Sequence, residues 1–221
     1  IAVYVDDLLI VADTQRDMDD FEKEISAKFA MKPFDDPHVL LGVNINYDRK
    51  AGTLTMDQSH YITNMLTEYG MDTSHPIGTP MATNYKDAPG DPKQDLPKVP
   101  FRALIGSLLF ASTRTRPDIA TAVGILSRHM THYNQDHWVA AKHILRYLRG
   151  TRDAVLMFRK DTSEALHGYA DATYASDTST SRSRTGYVLY LAHAPIAWVS
   201  RLQKTIASSS AESEYQALAS A

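Results

Sequence analysis

Two adjacent aspartates, Asp6 and Asp7, stand between two short apolar runs at the start of the chain, Ile1-Ala2-Val3-Tyr4-Val5 and Leu8-Leu9-Ile10. Runs of this length and composition predict strands. Joined so tightly, they predict a hairpin with the aspartates at its tip. Side-by-side carboxylates repel each other unless cations lie between them. Hard divalent ions such as Mg²⁺ take oxygen ligands, often one or two carboxylates plus substrate phosphates, and a paired-ion site suits phosphoryl transfer. A bare Asp-Asp pair is otherwise a solvated acidic turn; the apolar flanks set this one apart.

The 221 residues suffice for one large or two small domains, and a hydrophobic content of 43% can build a core. The chain has no cysteine, which excludes a disulfide framework and a Cys-based zinc site. No run is long and apolar enough to predict a membrane span. Ile1 is not a start methionine, and the first residues read as the inside of a strand, so the expectation is a piece of a longer polypeptide. The net charge of −3 argues only weakly against a nucleic-acid partner, because the distribution is uneven. Residues 1–36 hold ten Asp/Glu against four Lys/Arg, and residues 101–152 hold eight Lys/Arg against two Asp/Glu. An acidic end that binds cations and a basic stretch that binds phosphates can coexist on one protein.

Thr14 and Asp17 form a helix start, with Met18, Phe21, Ile25 and Phe29 as a core-facing stripe up to Phe29. Val39 to Ile45 predicts one strand and Gly52 to Met56 its partner, with Asp48 in the turn and Gly42 as a bulge or close approach. Asp57 to Tyr69 predicts a helix closed by Gly70, buried through Tyr61, Ile62, Met65, Leu66 and Tyr69. Residues 76–100 hold six of the ten prolines and predict a linker or long loop.

Pro100 starts a helix in which Arg102, Gly106 and Phe110 share a face, four residues apart. A small residue between a cation and an aromatic suits tracking the sugar-phosphate edge of a minor groove, or simply lets another helix approach. Pro117 starts a further helix to about Met130, and Asn134 caps a third that ends at Gly150. On the third, Lys142, Arg146 and Arg149 lie apart from the apolar stripe, as solvated surface or as phosphate contacts. His129, His132, His137 and His143 show no ligand spacing and are not taken as metal ligands. Ala154–Phe158, Leu166–Ala170, Gly186–Leu191 and Ile196–Ser200 predict four strands, and Ser210–Ala221 a helix. Asp171 follows one of these strands, and Glu212 and Glu214 open the helix. Each has an ordinary structural role available, as a turn residue or as a complement to the helix dipole.

The order of these elements resembles a known family. Tyr4-Val5-Asp6-Asp7 within an apolar hairpin resembles the catalytic motif of reverse transcriptases. Phe101-Arg102-Ala103-Leu104-Ile105-Gly106-Ser107-Leu108-Leu109, Thr115-Arg116-Pro117-Asp118-Ile119-Ala120 and His137 to Thr151 resemble the Pol polyprotein of copia-type retrotransposons, over nearly the whole chain. The resemblance implies an α+β architecture in parts. Residues 1–73 would be a partial polymerase palm and thumb base, 74–100 a Pro-rich linker, 101–152 a helical thumb and connection, and 153–221 a truncated RNase H-like α/β sheet. It implies that Asp6 and Asp7 hold Mg²⁺, or Mn²⁺ in its place, for nucleotide addition, and that Asp171 and Glu214, with Glu212 as the alternative, do so for cleaving RNA in a hybrid. It makes Leu40 and Gly42 part of a strand that grips the primer, and Arg102, Gly106, Phe110, Lys142, Arg146 and Arg149 nucleic-acid contacts. The implied partners are template-primer, RNA–DNA hybrid, dNTPs and the rest of the polyprotein, in a cytoplasmic particle whose products act in the nucleus. Both sites lack carboxylates that the family supplies from elsewhere, so the alternative is a non-catalytic nucleic-acid-binding remnant.

Overall fold

The computed structural model describes residues 1–5, 7–32, 38–87, 98–160 and 165–221. Helices α2 (Ser59–Glu68), α3 (Phe101–Arg114), α4 (Ala120–Leu126) and α5 (Gln135–Gly150) form its centre. Their apolar faces meet in one core that includes Ile62, Leu66, Leu104, Leu108, Leu126 and Leu145. Start and stop signals are local. Asn134 Oδ1 accepts the His137 N–H at 3.0 Å, and His137 Nδ1 accepts the Asn134 N–H at 2.9 Å, a reciprocal cap that opens α5. Gly70, at φ +62°, follows α2. Pro117 splits the expected single helix into a 3₁₀ turn, Pro117–Ile119, and α4. None of the described helices is long and apolar enough to cross a membrane.

The described strands form three antiparallel sheets. β1 (Ala2–Tyr4) and β2 (Asp7–Leu9) form the expected hairpin. Helix α1 (Gln15–Ser26) follows, with Thr14 Oγ1 accepting the Asp17 N–H at 3.2 Å. Its stripe is not core: α1 buries no residue, Met18, Phe21 and Ile25 are half-buried, and Phe29 is 63% exposed. Spacing put these side chains on one face, but that face lies outside the core built by α2 to α5.

The expected strand Val39–Ile45 is two strands. β3 (Val39–Leu40) turns through Leu41 and Gly42, at φ +50° and +77°, into β4 (Val43–Asp48). Two successive positive φ angles make the tight turn that matches strand twist. A Cβ on Gly42 would lie 3.3 Å from the Phe110 ring, so packing also favours glycine there. β5 (Thr53–Asp57) pairs with β4. β6 (Leu156–Arg159) then pairs with β5, Met56 opposite Leu156 and Leu54 opposite Phe158. The sequence grouped this strand with the three that follow it; the turn after α5, closed by the Ala154 N–H on Thr151 O at 3.1 Å, delivers it to the β5 edge instead.

β7 (His167–Thr173), β8 (Arg184–Leu191) and β9 (Ala194–Leu202) make the last sheet, with α6 (Ser210–Leu218) against β7 and β8. The helices hold this sheet by polar contacts: Trp198 Nε1–H donates to Ser112 O at 2.7 Å, and Thr121 Oγ1 donates to Ser200 Oγ at 3.0 Å. A Cβ on Gly124 would meet Ser200 O at 3.0 Å, so α4 approaches β9 closely because it carries a glycine there.

Arg116, only 2% exposed, sits where α3 ends and the 3₁₀ turn begins. Its Nε and Nη2 donate to both Asp118 oxygens, at 3.0 and 2.6 Å, and its Nη1 donates to Thr151 O at 3.0 Å. One guanidinium thus joins the end of α3 to the end of α5. Arg116 is buried while Asp118 is 34% exposed, and removing the guanidinium leaves that carboxylate and the Thr151 carbonyl without their donor. Arg116→Ala is expected to destabilise the fold by about 3 kcal/mol, read from urea unfolding followed by circular dichroism. A loss below about 1 kcal/mol, the range of an exposed ion pair, would contradict this role.

Candidate active site

Asp7, of the first carboxylate pair, is the first residue of β2. Tyr4 faces Asp7 across the ladder, and Asp7 is exposed. Asp6 lies outside the described residues. Val5 has φ +52°, a conformation that a β-branched residue rarely adopts.

The second pair comes from two elements. Asp171 lies within β7 opposite Gly186, so the strand runs past it rather than ending before it. Glu214 stands on α6, and its Oε2 accepts the Ala172 N–H at 3.1 Å, one residue from Asp171. β7 is an edge strand, so this N–H is available to an outside acceptor. Packing sets the faces. Thr185, the cross-strand partner of Ala172, accepts from Gln203 Nε2 at 3.1 Å, and the same nitrogen donates to Ser213 O on α6 at 2.8 Å. The Ala172 face is therefore the α6 face. By strand alternation Asp171 is on the other, where it lines an open cleft of about 510 Å³ with Asp118, Thr121, Tyr169 and Trp198.

The two glutamates differ. Glu212 Oε2 accepts Ser208 N–H at 2.7 Å and Ser208 Oγ–H at 2.6 Å, and these bonds hold its carboxyl below the usual range. Glu212 closes the helix start, where Ser209 Oγ accepts its N–H at 3.1 Å. Glu214 has one oxygen on the backbone amide of Ala172, the residue after Asp171. The donor set of Asp171 and Glu214, exposed carboxylate oxygens, fits a hard divalent cation.

The expected nucleic-acid residues are divided. Gly42 and Phe110 are brought together, Phe110 also packing edge-on to Tyr61 at 5.0 Å, while Leu40 precedes the turn. Gly106 faces open space, and Arg102 Nε donates to Met130 O at 2.6 Å. Lys142 lies 5.7 Å from the centre of the Trp138 ring. Arg146 Nε donates to His75 O at 2.7 Å and Arg149 Nε to Asp72 O at 2.7 Å, with Arg149 Nη1 on Ser74 O. These two arginines strap the segment after α2 onto α5, a use that helix periodicity could not reveal.

A buried polar centre also escaped the sequence reading. Asp87 Oδ1 lies 2.6 Å from His129 Nε2, and Arg128 joins Asp87 at 3.0 Å to Asp177 at 2.9 Å. Asp87, His129 and His137 are the cluster among the described residues whose ligand atoms all lie within 4.8 Å. The tautomer argues against a metal there. His137 Nδ1 accepts the Asn134 N–H, so the proton of the neutral ring sits on Nε2, which then has no lone pair to offer. Burial works to raise the Asp177 carboxyl, but Thr180, Arg128 and Ser179 outweigh it and bring it to about 2. Burial likewise opposes ionisation of Asp87, and the His129 hydrogen bond and the neighbouring cations hold its carboxyl low. At Asp118 the Arg116 bonds and charge, with the Tyr147 hydroxyl, overcome burial in the same way.

Comparison with known proteins follows the same regions. Residues 1–83 match the reverse transcriptase (RNA-dependent DNA polymerase) family. The chain is 37% identical to the Retrovirus-related Pol polyprotein from transposon TNT 1-94 of Nicotiana tabacum, over 96% of this chain and 16% of that protein. It is 37% identical to the corresponding polyprotein from transposon RE2 of Arabidopsis thaliana, over 98% of this chain and 15% of that protein. A putative transposon Ty5-1 protein of Saccharomyces cerevisiae is 34% identical, over 97% of this chain and 70% of its own length. The chain thus spans about a sixth of the two plant polyproteins. No solved structure matches it significantly.

Lowered carboxyls, Asp57, Asp87, Asp118 and Asp177 among them, set the acid response. A depressed folded-state pKa contributes stability that is complete above the unfolded value, about 3.9 for Asp, and is lost as pH falls through the folded value. Stability is therefore expected to be flat from about pH 7 to 5 and to fall below about pH 4. Asp177→Asn should flatten the lower part of that fall, towards pH about 2, as read from urea midpoints against pH. An acid limb identical to wild type would contradict the Asp177 assignment.

Proposed function

The chain belongs to the reverse transcriptase family of copia-type retrotransposon Pol polyproteins, and from that premise we propose that it serves two phosphoryl-transfer sites of such a polyprotein. Asp6 and Asp7 carry RNA-directed DNA synthesis. Asp171 and Glu214 carry cleavage of the RNA strand of an RNA–DNA hybrid, as in RNase H. The observation that carries the second site is the Glu214 carboxylate on the Ala172 amide, which sets beside Asp171 a residue from a different element. The first is supported by the exposed Asp7 and the strained Val5 at the hairpin turn.

Mg²⁺ ions bound by these carboxylates would supply an activated nucleophile and stabilise the leaving oxygen. The residues of the chain do the placing. Ala172 N–H fixes one oxygen of Glu214, so the other is presented in a set direction. Gly42, turned against Phe110, ties the proposed primer-contacting hairpin to α3. In this reading template-primer, hybrid and dNTPs are the substrates. The protein works within a cytoplasmic particle whose products reach the nucleus.

Substitution in a Pol polyprotein containing this segment separates the two sites. Asp171→Asn should lower Mg²⁺-dependent hybrid cleavage by at least about 100-fold and leave primer extension intact. Asp7→Asn should do the reverse. Cleavage unchanged in both Asp171→Asn and Glu214→Gln would refute the second site, and extension unchanged in Asp7→Asn the first.

A further inference from the structure

Strand β9 is seated on the rest of the molecule at three places. Just before it, the Ala192 carbonyl accepts the Arg159 N–H of β6 at 3.1 Å. In its middle, Trp198 Nε1–H donates to Ser112 O of α3 at 2.7 Å. Further on, Ser200 meets α4, through Thr121 Oγ1 at 3.0 Å and through a carbonyl that a Cβ on Gly124 would crowd at 3.0 Å. Trp198 is opposite Val188, which is opposite Tyr169, and Ser200 is opposite Gly186, which is opposite Asp171. Directly opposite residues share a sheet face. Tyr169 and Asp171 are two apart on one strand, so Trp198 and Ser200 both lie on the Asp171 face.

The end of α3 makes the Ser112 carbonyl available. In a continuing helix it would accept the Arg116 N–H. Here the Thr115 and Arg116 N–H groups both go to Ala111 O, at 3.2 and 3.1 Å, and Pro117 has no N–H to offer. Ser112 is 3% exposed, so the indole is the donor that spares this carbonyl an unmet bond. Phe110 stands two residues earlier and points the other way, because two residues turn about 200° around a helix axis. Its ring lies against Gly42 in the β3–β4 turn, 3.3 Å from where a Cβ would stand. The last turns of α3 are therefore held between the β3–β4 hairpin on one side and β9 on the other.

We propose that Trp198 is a positioning residue: by seating β9 on α3 it sets the number of base pairs between a primer end at the β3–β4 hairpin and the phosphate cut at Asp171 and Glu214. The inference rests on reading that hairpin as primer-contacting and those two carboxylates as the cleavage site. Two sites that act on one hybrid stay a fixed number of base pairs apart only if the protein between them is rigid. The path from Gly42 through Phe110 and Ser112 to Trp198 consists of a ring contact, a stretch of helix and a hydrogen bond. An N–H bond is directional, so it fixes where the strand sits along the helix as well as how close it lies. Without it, the Arg159–Ala192 bond becomes a pivot about which the sheet can turn.

The test uses a Pol polyprotein containing this segment, Mg²⁺ and an end-labelled RNA template annealed to a recessed DNA primer. The readout is the distance from the primer end to the RNA cut, under single-cut conditions, so that a slower reaction does not alter it. Wild type is expected to cut mainly at one distance. Trp198→Ala should move or spread that distance by at least about one nucleotide, a displacement of about 3.4 Å. Gly124→Leu, which pushes α4 from Ser200 O, should do the same and keeps the test valid if the first variant fails to fold. On a hybrid whose DNA strand overhangs the RNA at both ends, no primer end sets the register, and both variants should cut where wild type does. Distances equal to wild type in both variants overturn the positioning role and leave the cleavage reading intact. So does a changed pattern on the overhanging hybrid, which would make Trp198 a contact of the hybrid itself. A wild-type protein that cuts no hybrid overturns the role and the cleavage reading together.

Discussion

The contact between Arg116 and the Asp118–Thr151 pair is the constraint on which the rest of the structure depends. A guanidinium removed from water is tolerated only when its donors are matched, and here carboxylate, carbonyl and hydroxyl groups all take part. The geometry fixes the end of α3 against the end of α5. It also fixes the start of the 3₁₀ turn that leads into α4. Everything C-terminal is then referred to these helices. β6 leaves from the turn after α5, and β9 is held by Ser112 and Thr121. The cleft beside Asp171 has Asp118 in its opposite wall, so the residue that neutralises Arg116 also borders the candidate site.

Polar groups, more than apolar burial, decide how the parts meet. The helical core is contiguous and apolar, and hydrogen bonds and ion pairs tie it to the last sheet. Arg128 spans from Asp87 to Asp177, joining the segment before α3 to the β7–β8 loop. Arg146 and Arg149 hold the stretch after α2 through its backbone carbonyls. Such links depend on direction and charge, which is why acid, acting on lowered carboxylates, is the condition that should loosen them first.

What was legible in the sequence was local. Asn134 and Gly150 bracket α5, Thr14 caps α1, Gly70 follows α2, and the Tyr61–Tyr69 stripe is buried or half-buried. What was not legible needed knowledge of distant neighbours. Val39–Ile45 looks like one strand because Leu41 is apolar, yet Leu41 takes a left-handed turn beside Gly42. Ala154–Phe158 carries no mark that its partner is β5, about a hundred residues earlier. The α1 stripe has helical spacing with no core behind it. Asp171 and Glu214 were nameable from the resemblance, but the bond from the Ala172 amide to the Glu214 carboxylate was not. His129 and His137 show no ligand spacing in the sequence, yet the fold gathers them with Asp87, with His137 Nδ1 spent in the helix cap.

The account's central claim is that Asp171 and Glu214 form one cation-binding site. Anomalous diffraction from crystals soaked in Mn²⁺ tests it directly, because Mn²⁺ shares the oxygen preference of Mg²⁺ and scatters visibly. The account predicts a peak within coordination distance of both carboxylates. A peak at Asp87, His129 and His137 with none at Asp171 and Glu214 would contradict it.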